Sequence, residues 1–458
     1  MAEAIPREVE VVICGAGISG IATAYFLAVE QGITNVLLID KGSPLSLTSD
    51  KSTECYRNWW PGPGDAMVAL MNRSISLMED MASKNGNLFQ MNQRGYLYVS
   101  KSEESVANLR TAAEEASQLG AGKLRIHSAY PSDYQPHLDD GLASNLDGAD
   151  LIMSQEVIQH HFPYLSEEVI AVLHVRRAGW LSAQQFGMWM LEEAKRVGVK
   201  YLQSSVTAIE TSSNKVISVE LNDEELVNCT HFVNAAGPYA AEIAALLNTQ
   251  LPVHNELHLK SSIEDSHAVL DRSAPLVIFA EPQRIGWTKE EAAYLKEDSE
   301  ASWLLNKLPM GAHTRPEGSS EAQSILLLWD TRERRSETIF PIDVDPMEAE
   351  TALRGLIEII PGFRSYLNKM PKPTIDGGYY TKTEENRPLA SPMSIEGTHF
   401  IGASSGYGIM AAAALGELMA AHISGNNLPS YSAAFHLNRY QDPQYIELLK
   451  TWGAKWQL

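Results

Sequence analysis

The stretch Val11–Lys41, VVICGAGISGIATAYFLAVEQGITNVLLIDK, constrains this chain more than any other. An apolar strand runs into Gly15, Gly17 and Gly20, a helix follows, and a second apolar run ends on Asp40. The first glycine permits a tight turn after the strand. The second lets a pyrophosphate approach the backbone, and the third lets helix and strand pack closely. The start of the helix, at Ile18 and Ser19, then turns free N–H groups and the positive end of its dipole toward the phosphates. An acid twenty residues after Gly20 accepts hydrogen bonds from ribose hydroxyls and repels a 2′-phosphate, so NADP is disfavoured. The rival reading, glycines that serve close packing alone, is weaker because the full strand, turn, helix, strand and acid stand at the right spacing. The motif by itself does not separate NAD from FAD.

A length of 458 residues sets two domains as the starting expectation. With 36 basic against 57 acidic residues the formal charge is −21. Such a surface repels phosphate backbones and anionic membranes, so nucleic acid is not an expected partner. Cys14, Cys55 and Cys229 are too few for a disulfide framework or a cysteine-rich metal site, which suits a reducing, cytoplasmic setting, and no metal is expected. The opening MAEAIPREVE lacks the apolar core of a secretory signal. Val11–Val29 is long enough to mimic a membrane span, but its turn-spaced glycines and Glu30 argue against one.

Three later segments bear on the ligand. KGSPLSLTSDKSTECYRNWWPG follows the acid and offers Ser, Thr and Lys donors to a pyrophosphate. THFVNAAGPYA is an apolar strand ending in small residues that let a flat ligand pass closely. HFIGASSGYGIMAAAALGELMAAHISG places a second glycine turn, Ser404–Gly408, before a second helix start. Two such turns far apart in sequence suit a ligand larger than one pyrophosphate.

Together with AGWLSAQQFGMWMLEEAKRVGVKYLQSSVTAIE and GAHTRPEG, these segments make most of the chain similar to the D-amino-acid-oxidase superfamily of FAD enzymes, in its glycine oxidase, sarcosine oxidase and dimethylglycine dehydrogenase branch. The resemblance implies an α/β fold: a Rossmann-like FAD-binding domain of the glutathione-reductase type with an inserted α+β substrate domain built on an antiparallel sheet. It implies that Gly15, Gly17, Ile18, Ser19 and Gly20 take the pyrophosphate, and that Asp40, with Lys41 beside it, takes the adenosine ribose. Ser49, Lys51, Ser52 and Thr53 fall on the loop that contacts the cofactor, and Val206 meets the adenine through its backbone. Ala236, Gly237 and Gly378 flank the cofactor, and Gly406, Tyr407, Gly408 and Ile409 meet the flavin's pyrimidine edge.

Two departures from the family matter. Some relatives attach FAD to a cysteine just before a tyrosine, where this chain has Gly378 before Tyr379. Others use a histidine after the acid, and none lies between Asp40 and Arg57. FAD is therefore expected to be non-covalent. Sarcosine-oxidase-like members clamp a carboxylate between an arginine, matched by Arg57, and a lysine, whose place is held by Met410.

The FAD domain is expected to be discontinuous, over 1–86, 172–245 and 372–430. The substrate domain takes 87–171 and 246–371, and 431–458 is a tail that packs on the body. SILLLWD alternates like a strand of a sheet roofing the flavin. Residues 286–311 read as one helix with an acidic face. Arg57 pairs either with a substrate carboxylate or phosphate or, internally, with an acid such as Glu54. Tyr379 and Tyr380 form either an amine-binding wall or core, and Trp59 and Trp60 read as core. His313 and Arg315 reach substrate or brace a turn, and Met410 lines the pocket. The pairs His254/His258 and His160/His161 and the thiols of Cys14 and Cys55 read as structural.

The implied reaction oxidises a C–N bond. A neutral amine or amino acid lies over the flavin, hydride passes to N5, and the imine is hydrolysed, with oxygen or an electron carrier as acceptor. That chemistry asks for positioning and desolvation rather than an acid–base triad. One rival is a flavin-dependent 2-hydroxy acid or polyol dehydrogenase, which needs a base such as His313. Another is an FAD-carrying assembly or binding protein without robust turnover. Oligomeric state stays open.

Overall fold

The computed structural model describes residues 5–137, 141–142, 146–222, 224–319 and 321–452, so 1–4 of the first segment and 453–458 of the tail lie outside it. Strand Glu8–Cys14 pairs in parallel with Val36–Asp40 on one side and with Leu226–Asn234 on the other. Val36–Asp40 is an apolar run buried on both faces, whereas Leu226–Asn234 alternates until Phe232, where both its faces are buried. Lys200–Gln203 extends the sheet beyond Val36–Asp40, and the antiparallel strands Val206–Ser212 and Lys215–Leu221 extend it beyond Leu226–Asn234. Thr398–Gly402 and Leu389–Pro392 complete its eight strands.

Side chains alternate across this sheet. Val11, Ile13, Val36 and Leu38 face the helices, whereas Val12, Cys14, Leu37 and Ile39 cluster with Val206, Ile209, Val219 and Phe232. The helix Ile18–Tyr25 continues through a wider turn, in which Gln31 N–H donates to the Phe26 carbonyl, and lies against helix Gly408–Ser424. A Cβ on Gly416 would stand 2.8 Å from Ala22, so small residues set how closely the two helices approach.

The second sheet has nine strands. In spatial order they are Thr374–Lys382, His254–Glu264, Ser324–Leu328, His313–Pro316, Leu276–Phe279, Tyr96–Ser100, Ala171–Val175, Ala149–Ile152 and Leu124–His127. The sheet is mixed: Leu276–Phe279 runs parallel to Tyr96–Ser100, and Leu124–His127 to Ala149–Ile152. On one face Ile263, Ile325 and Leu327 bury against Ala352, Leu353 and Leu356 of helix Glu348–Leu356. The registers Tyr380↔Glu256, Lys382↔His254 and Arg315↔Leu326 put a polar set on the opposite face.

Two expectations change. Thr374–Lys382, assigned from sequence to the FAD-binding segment 372–430, pairs along its length with His254–Glu264 and so belongs to the second sheet. The segment 286–311 is not one helix. A capping box at Thr288 and Glu291 starts helix Lys289–Glu297, which stops at the extended Asp298, and Ser302–Leu305 is a separate 3₁₀ turn. Glu291 also pairs with Arg354, which ties this segment to helix Glu348–Leu356. In the tail, Arg439, Tyr440 and Tyr445 all bond one oxygen of Glu385, so a buried ion pair with two phenols pins it to the body.

His399, on Thr398–Gly402, is 5 % exposed and lies with its Nε2 3.2 Å from His231 Nδ1. Burial, with His231 and His422 adding to it, pushes its pKa down to about 3. The folded pKa is below the unfolded one, so only the unfolded chain gains this proton as pH falls below about 6.5. Thermal unfolding should therefore show stability declining from pH 6.5 to 5, by up to about 2 kcal/mol from this residue. A His399→Phe variant should lose part of that pH dependence.

Candidate active site

The turn after Glu8–Cys14 is built by contacts that only glycine permits. Gly15 has φ of +111°, and a Cβ there would stand 2.3 Å from the Ala235 carbonyl oxygen. A Cβ on Gly20 would stand 1.9 Å from the Gly15 carbonyl oxygen. Gly17 differs, because its Cβ would meet only the Ser49 hydroxyl, at 3.5 Å. Gly15 and Gly20 thus close the turn, while Gly17 faces open space.

That space is a cleft between the two sheets. Gly15, Gly17, Ile18, Ser19 and Asp40 form one wall, and Ser49 and Ser52 of the loop after the acid another. Ala236 and Gly237 stand at the end of Leu226–Asn234. Gly406, Gly408, Ile409 and Tyr380 close the far end. Thirteen of the sequence-predicted positions therefore meet on one surface, from four distant parts of the chain.

The acid is held in place. Asp40 Oδ2 accepts from Ala16 N–H at 2.7 Å and Oδ1 from Gly42 N–H at 2.8 Å. Each oxygen keeps a lone pair for a further donor. Ile18 N–H donates to Ser49 Oγ at 3.0 Å, which brings the loop to the helix start. At the far end Ala403, Ser405 and Gly406 take φ values of 55°, 47° and 92°. Two left-handed non-glycine residues in one turn cost of the order of 1 to 3 kcal/mol each. The strain aims the turn at the cleft, and Ser405 N–H is held by the Thr381 carbonyl. A Cβ on Gly406 would stand 2.5 Å from the Tyr380 ring, so glycine is what lets the phenol lie against the turn.

Other predicted positions lie off the cleft wall. Gly20 is beneath the turn, and Val206 is in the core behind the sheet. The Lys41 ammonium sits 3.5 Å over the Tyr239 ring, and Lys51 bridges Asp50 and Asp376. The Thr53 carbonyl accepts twice from Arg315. Gly378 lets Thr48 and Lys51 pass its backbone. Tyr407 caps helix Gly408–Ser424 with its ring 4.9 Å from Trp60. Met410 is buried in the helical core.

Arg57 is fully buried, with its guanidinium 4.4 Å over Trp60 and its Nε donating to the Trp59 carbonyl. Glu54 accepts from Ala183 N–H and faces Arg315 at 3.6 Å. Arg315 also pairs with Glu317 at 2.7 Å, so its donors serve protein partners. His313 donates from Nδ1 to the Gly311 carbonyl at 2.7 Å, which leaves Nε2 as an acceptor. Burial lowers its pKa, helped by Arg315 and Arg57 and opposed by Gly311 and Asp330. Burial raises the thiol of Cys55 and takes that of Cys14 to about 12, which leaves both unreactive.

Sequence reasoning missed Lys260, His258, Glu256 and Asp330. Lys260 Nζ donates to the Ser52 carbonyl at 2.7 Å and anchors the loop. His258 stacks on Tyr380 with ring centroids 4.1 Å apart and planes 17° apart. The signal was HNELH itself. On a strand, alternate residues share a face, so His254, Glu256 and His258 point the same way.

The cleft suits a dinucleotide flavin on its own features. The Ser404 hydroxyl oxygen is buried in the wall with no partner among the described residues. A Cβ on Gly237, at φ +54°, would project into open space. Helices begin at Ile18 and at Gly408, one at each end.

Comparison with known proteins agrees. The sequence profile of the family described as FAD dependent oxidoreductase (DAO) matches residues 10–422, and this chain belongs to that family. It is 22 % identical over 440 residues to mitochondrial dimethylglycine dehydrogenase of Homo sapiens, covering 94 % of this chain and 44 % of that one. It is 24 % identical over 254 residues to sarcosine oxidase subunit beta of Rhizobium meliloti, covering 54 % of each. The chain thus spans about half the length of these relatives or less. Among solved structures it is similar to L-proline dehydrogenase from P. horikoshii, with a TM-score of 0.72 and 20 % identity over 95 % of this chain and 99 % of that one. Glycine oxidase from Geobacillus kaustophilus gives a TM-score of 0.69 at 15 % identity over 94 % and 99 %. The family's cofactor is FAD.

Two glycine variants should separate folding from binding. Gly20→Ala, with a Cβ inside van der Waals contact of backbone, should lose about 1 to 3 kcal/mol of stability and most of the flavin. Gly17→Ala should fold with an unchanged circular dichroism spectrum and Tm in its apo form, yet bind FAD at least about tenfold more weakly in a flavin fluorescence titration.

Proposed function

We propose that the chain is an oxidoreductase that holds FAD without a covalent link and oxidises a C–N bond of a small amine or amino acid. The observation that carries this reading is the polar face of the nine-stranded sheet meeting the cleft at Tyr380, where the last glycine turn lies. The chemistry FAD would supply when bound is acceptance of a hydride equivalent from the carbon next to nitrogen. The chain's own residues do the rest. Gly15, Gly17 and the Ile18 helix start hold the pyrophosphate, Asp40 holds the ribose, and the helix start at Gly408 supports negative charge near the ring. Tyr380 forms one wall of the substrate space. His313, neutral and with Nε2 free to accept, can hold a substrate proton. Non-covalent attachment is supported by glycine at 378 and by the raised, unreactive thiol of Cys55. Oxygen or an electron carrier would serve as the terminal acceptor.

His313 also favours a second reading, oxidation of a 2-hydroxy acid or polyol, because that reaction needs a base for the hydroxyl proton. His313→Ala separates the two. Loss of roughly a hundredfold or more in the rate of reduction would support the hydroxyl reaction. A small loss with an amine substrate supports amine oxidation.

The visible spectrum of the purified protein, recorded before and after anaerobic addition of N-methyl amines, amino acids and hydroxy acids, tests the reading. Flavin bands released by acid precipitation and bleached by one amine class are expected. Bands that only a hydroxy acid bleaches would replace the amine assignment, and absent bands would end both.

A further inference from the structure

A second open pocket lies on the polar face of the nine-stranded sheet, apart from the cofactor cleft, and the two share no lining residue. Its floor is strand His254–Glu264, where a period of two puts His254, Glu256 and His258 on one face. Its rim is the segment after Ser324–Leu328. Leu257 N–H donates to the Arg334 carbonyl and Ser336 N–H to the Asn255 carbonyl, so 333–336 runs beside the strand. That register brings Glu333 to the same pocket.

Three donors converge there. One nitrogen of His254 and one oxygen each of Glu256 and Glu333 lie within 4.8 Å of one another. Donors bound at about 2.0 to 2.2 Å to one ion stand at most about 4.4 Å apart, so a small closing movement completes the set. Glu333, on the rim and 56 % exposed, can make that movement. His254 and Glu256, with 18 % and 6 % of their side chains exposed, are held by the strand.

The groups behind these donors are arranged as a metal site needs. A ligating imidazole gives its second nitrogen to a carboxylate, and a ligating carboxylate is hydrogen-bonded in turn. His254 Nε2 lies 3.0 Å from Glu256 Oε1, a spacing close to that of neighbouring donors on one ion. His254 Nδ1 faces Glu384 Oε1 at 3.5 Å. Lys382 Nζ donates to the other oxygen of Glu256, Oε2, at 2.7 Å. Arg335 joins the two outer acids: its Nε donates to Glu333 Oε1, and its Nη1 and Nη2 donate to Glu384 at 3.0 and 3.1 Å.

We propose that His254, Glu256 and Glu333 bind one divalent transition-metal cation of the Zn²⁺ class, with Glu384, Lys382 and Arg335 positioning the ligands. The carboxylates of Glu256, Asp330, Glu333 and Glu384 outnumber the cations Arg332, Lys382 and Arg335 by one. That excess is small and Lys382 stands close, so charge alone does not hold a hard cation. Mg²⁺ and Ca²⁺ also ask for six or more oxygens. The imidazole therefore decides selectivity, and it favours Zn²⁺, Ni²⁺ or Cu²⁺. Three protein donors leave the fourth position to water. The ion ties 333–336 to strand His254–Glu264, whose partner strand carries Tyr380 and Thr381 into the cofactor cleft. Its role is to stiffen the roof of that cleft from outside. The competing use of these residues is a brace of ion pairs that takes no metal.

The test uses tag-free protein as purified, stripped with EDTA and exchanged into metal-free buffer. Calorimetric titration with Zn²⁺ should show one site per chain in the micromolar range or tighter. Tm should rise with Zn²⁺ and stay unchanged with Mg²⁺ at the same concentration. His254→Gln and Glu333→Gln should each weaken Zn²⁺ at least about tenfold, and Glu384→Gln, by loosening the imidazole, roughly tenfold. Glu333 lies on the rim, so its variant keeps the test open if His254→Gln fails to fold. His160 and His161, with ring centroids 4.7 Å apart, are the rival imidazole pair, and His161→Gln should leave the titration unchanged. Neither heat nor a Tm shift with Zn²⁺ would overturn the site and leave the brace. Zn²⁺ binding that persists in both ligand variants, or that is lost in His161→Gln, would overturn it as well.

Discussion

The approach of Gly15 and Gly20 to the strand Leu226–Asn234 is the constraint on which the molecule depends. Ala235 N–H donates to the Cys14 carbonyl, and the Ala235 carbonyl then occupies the place a side chain at 15 would need. The turn can form only where these two parallel strands run side by side. It can stay tight only if the helix starting at Ile18 drops onto it without a Cβ at 20. That fixes the direction of the helix dipole and the position of Asp40, whose carboxylate is tied back to Ala16. It also fixes helix Gly408–Ser424, which crosses the first helix at the Ala22–Gly416 contact.

The second sheet depends on the first through one strand. Thr374–Lys382 pairs with His254–Glu264, and its Tyr379 carbonyl accepts from Thr48 of the loop after the acid. Lys260 and Arg315 reach from the same sheet to the carbonyls of Ser52 and Thr53. The roof is therefore fastened to the cofactor loop by charged donors on backbone acceptors. Buried cations so engaged avoid the cost of an unpaired charge. Arg315 belongs to this fastening, which is why its donors point to the loop.

Legibility in the sequence followed the range of the interactions. The dinucleotide turn was readable because every requirement lies within thirty residues of strand, glycines and acid. Two of the further cofactor segments were readable because small residues at strand ends have few other uses. The membership of Thr374–Lys382 was not, because DGGYYT has the glycines of a cofactor loop while its partner strand lies over a hundred residues earlier. Residues 286–311 misled because acidic helical composition continues past Asp298, where the backbone turns extended. The histidines of HNELH were read as structural, and Glu256 between them was not singled out. Period two was the relevant spacing, and Asp330 joins them only through the register of strand His254–Glu264 with Ser324–Leu328.

The chemistry of the roof also follows from which charges are buried and which are open. Arg57, the cation sequence comparison suggests for a carboxylate, is enclosed between Trp60 and Tyr96 with no exposed surface. Met410, at the place of the complementary lysine, is sunk in the helical core. From the second sheet it is instead Tyr380, with Tyr379 and Thr381 beside it, that lines the cleft. A phenol ring so placed presents a face of the kind to which a cation is attracted. Neither position of a carboxylate clamp, Arg57 or Met410, stands on the cleft wall, to which the second sheet contributes Tyr379, Tyr380 and Thr381.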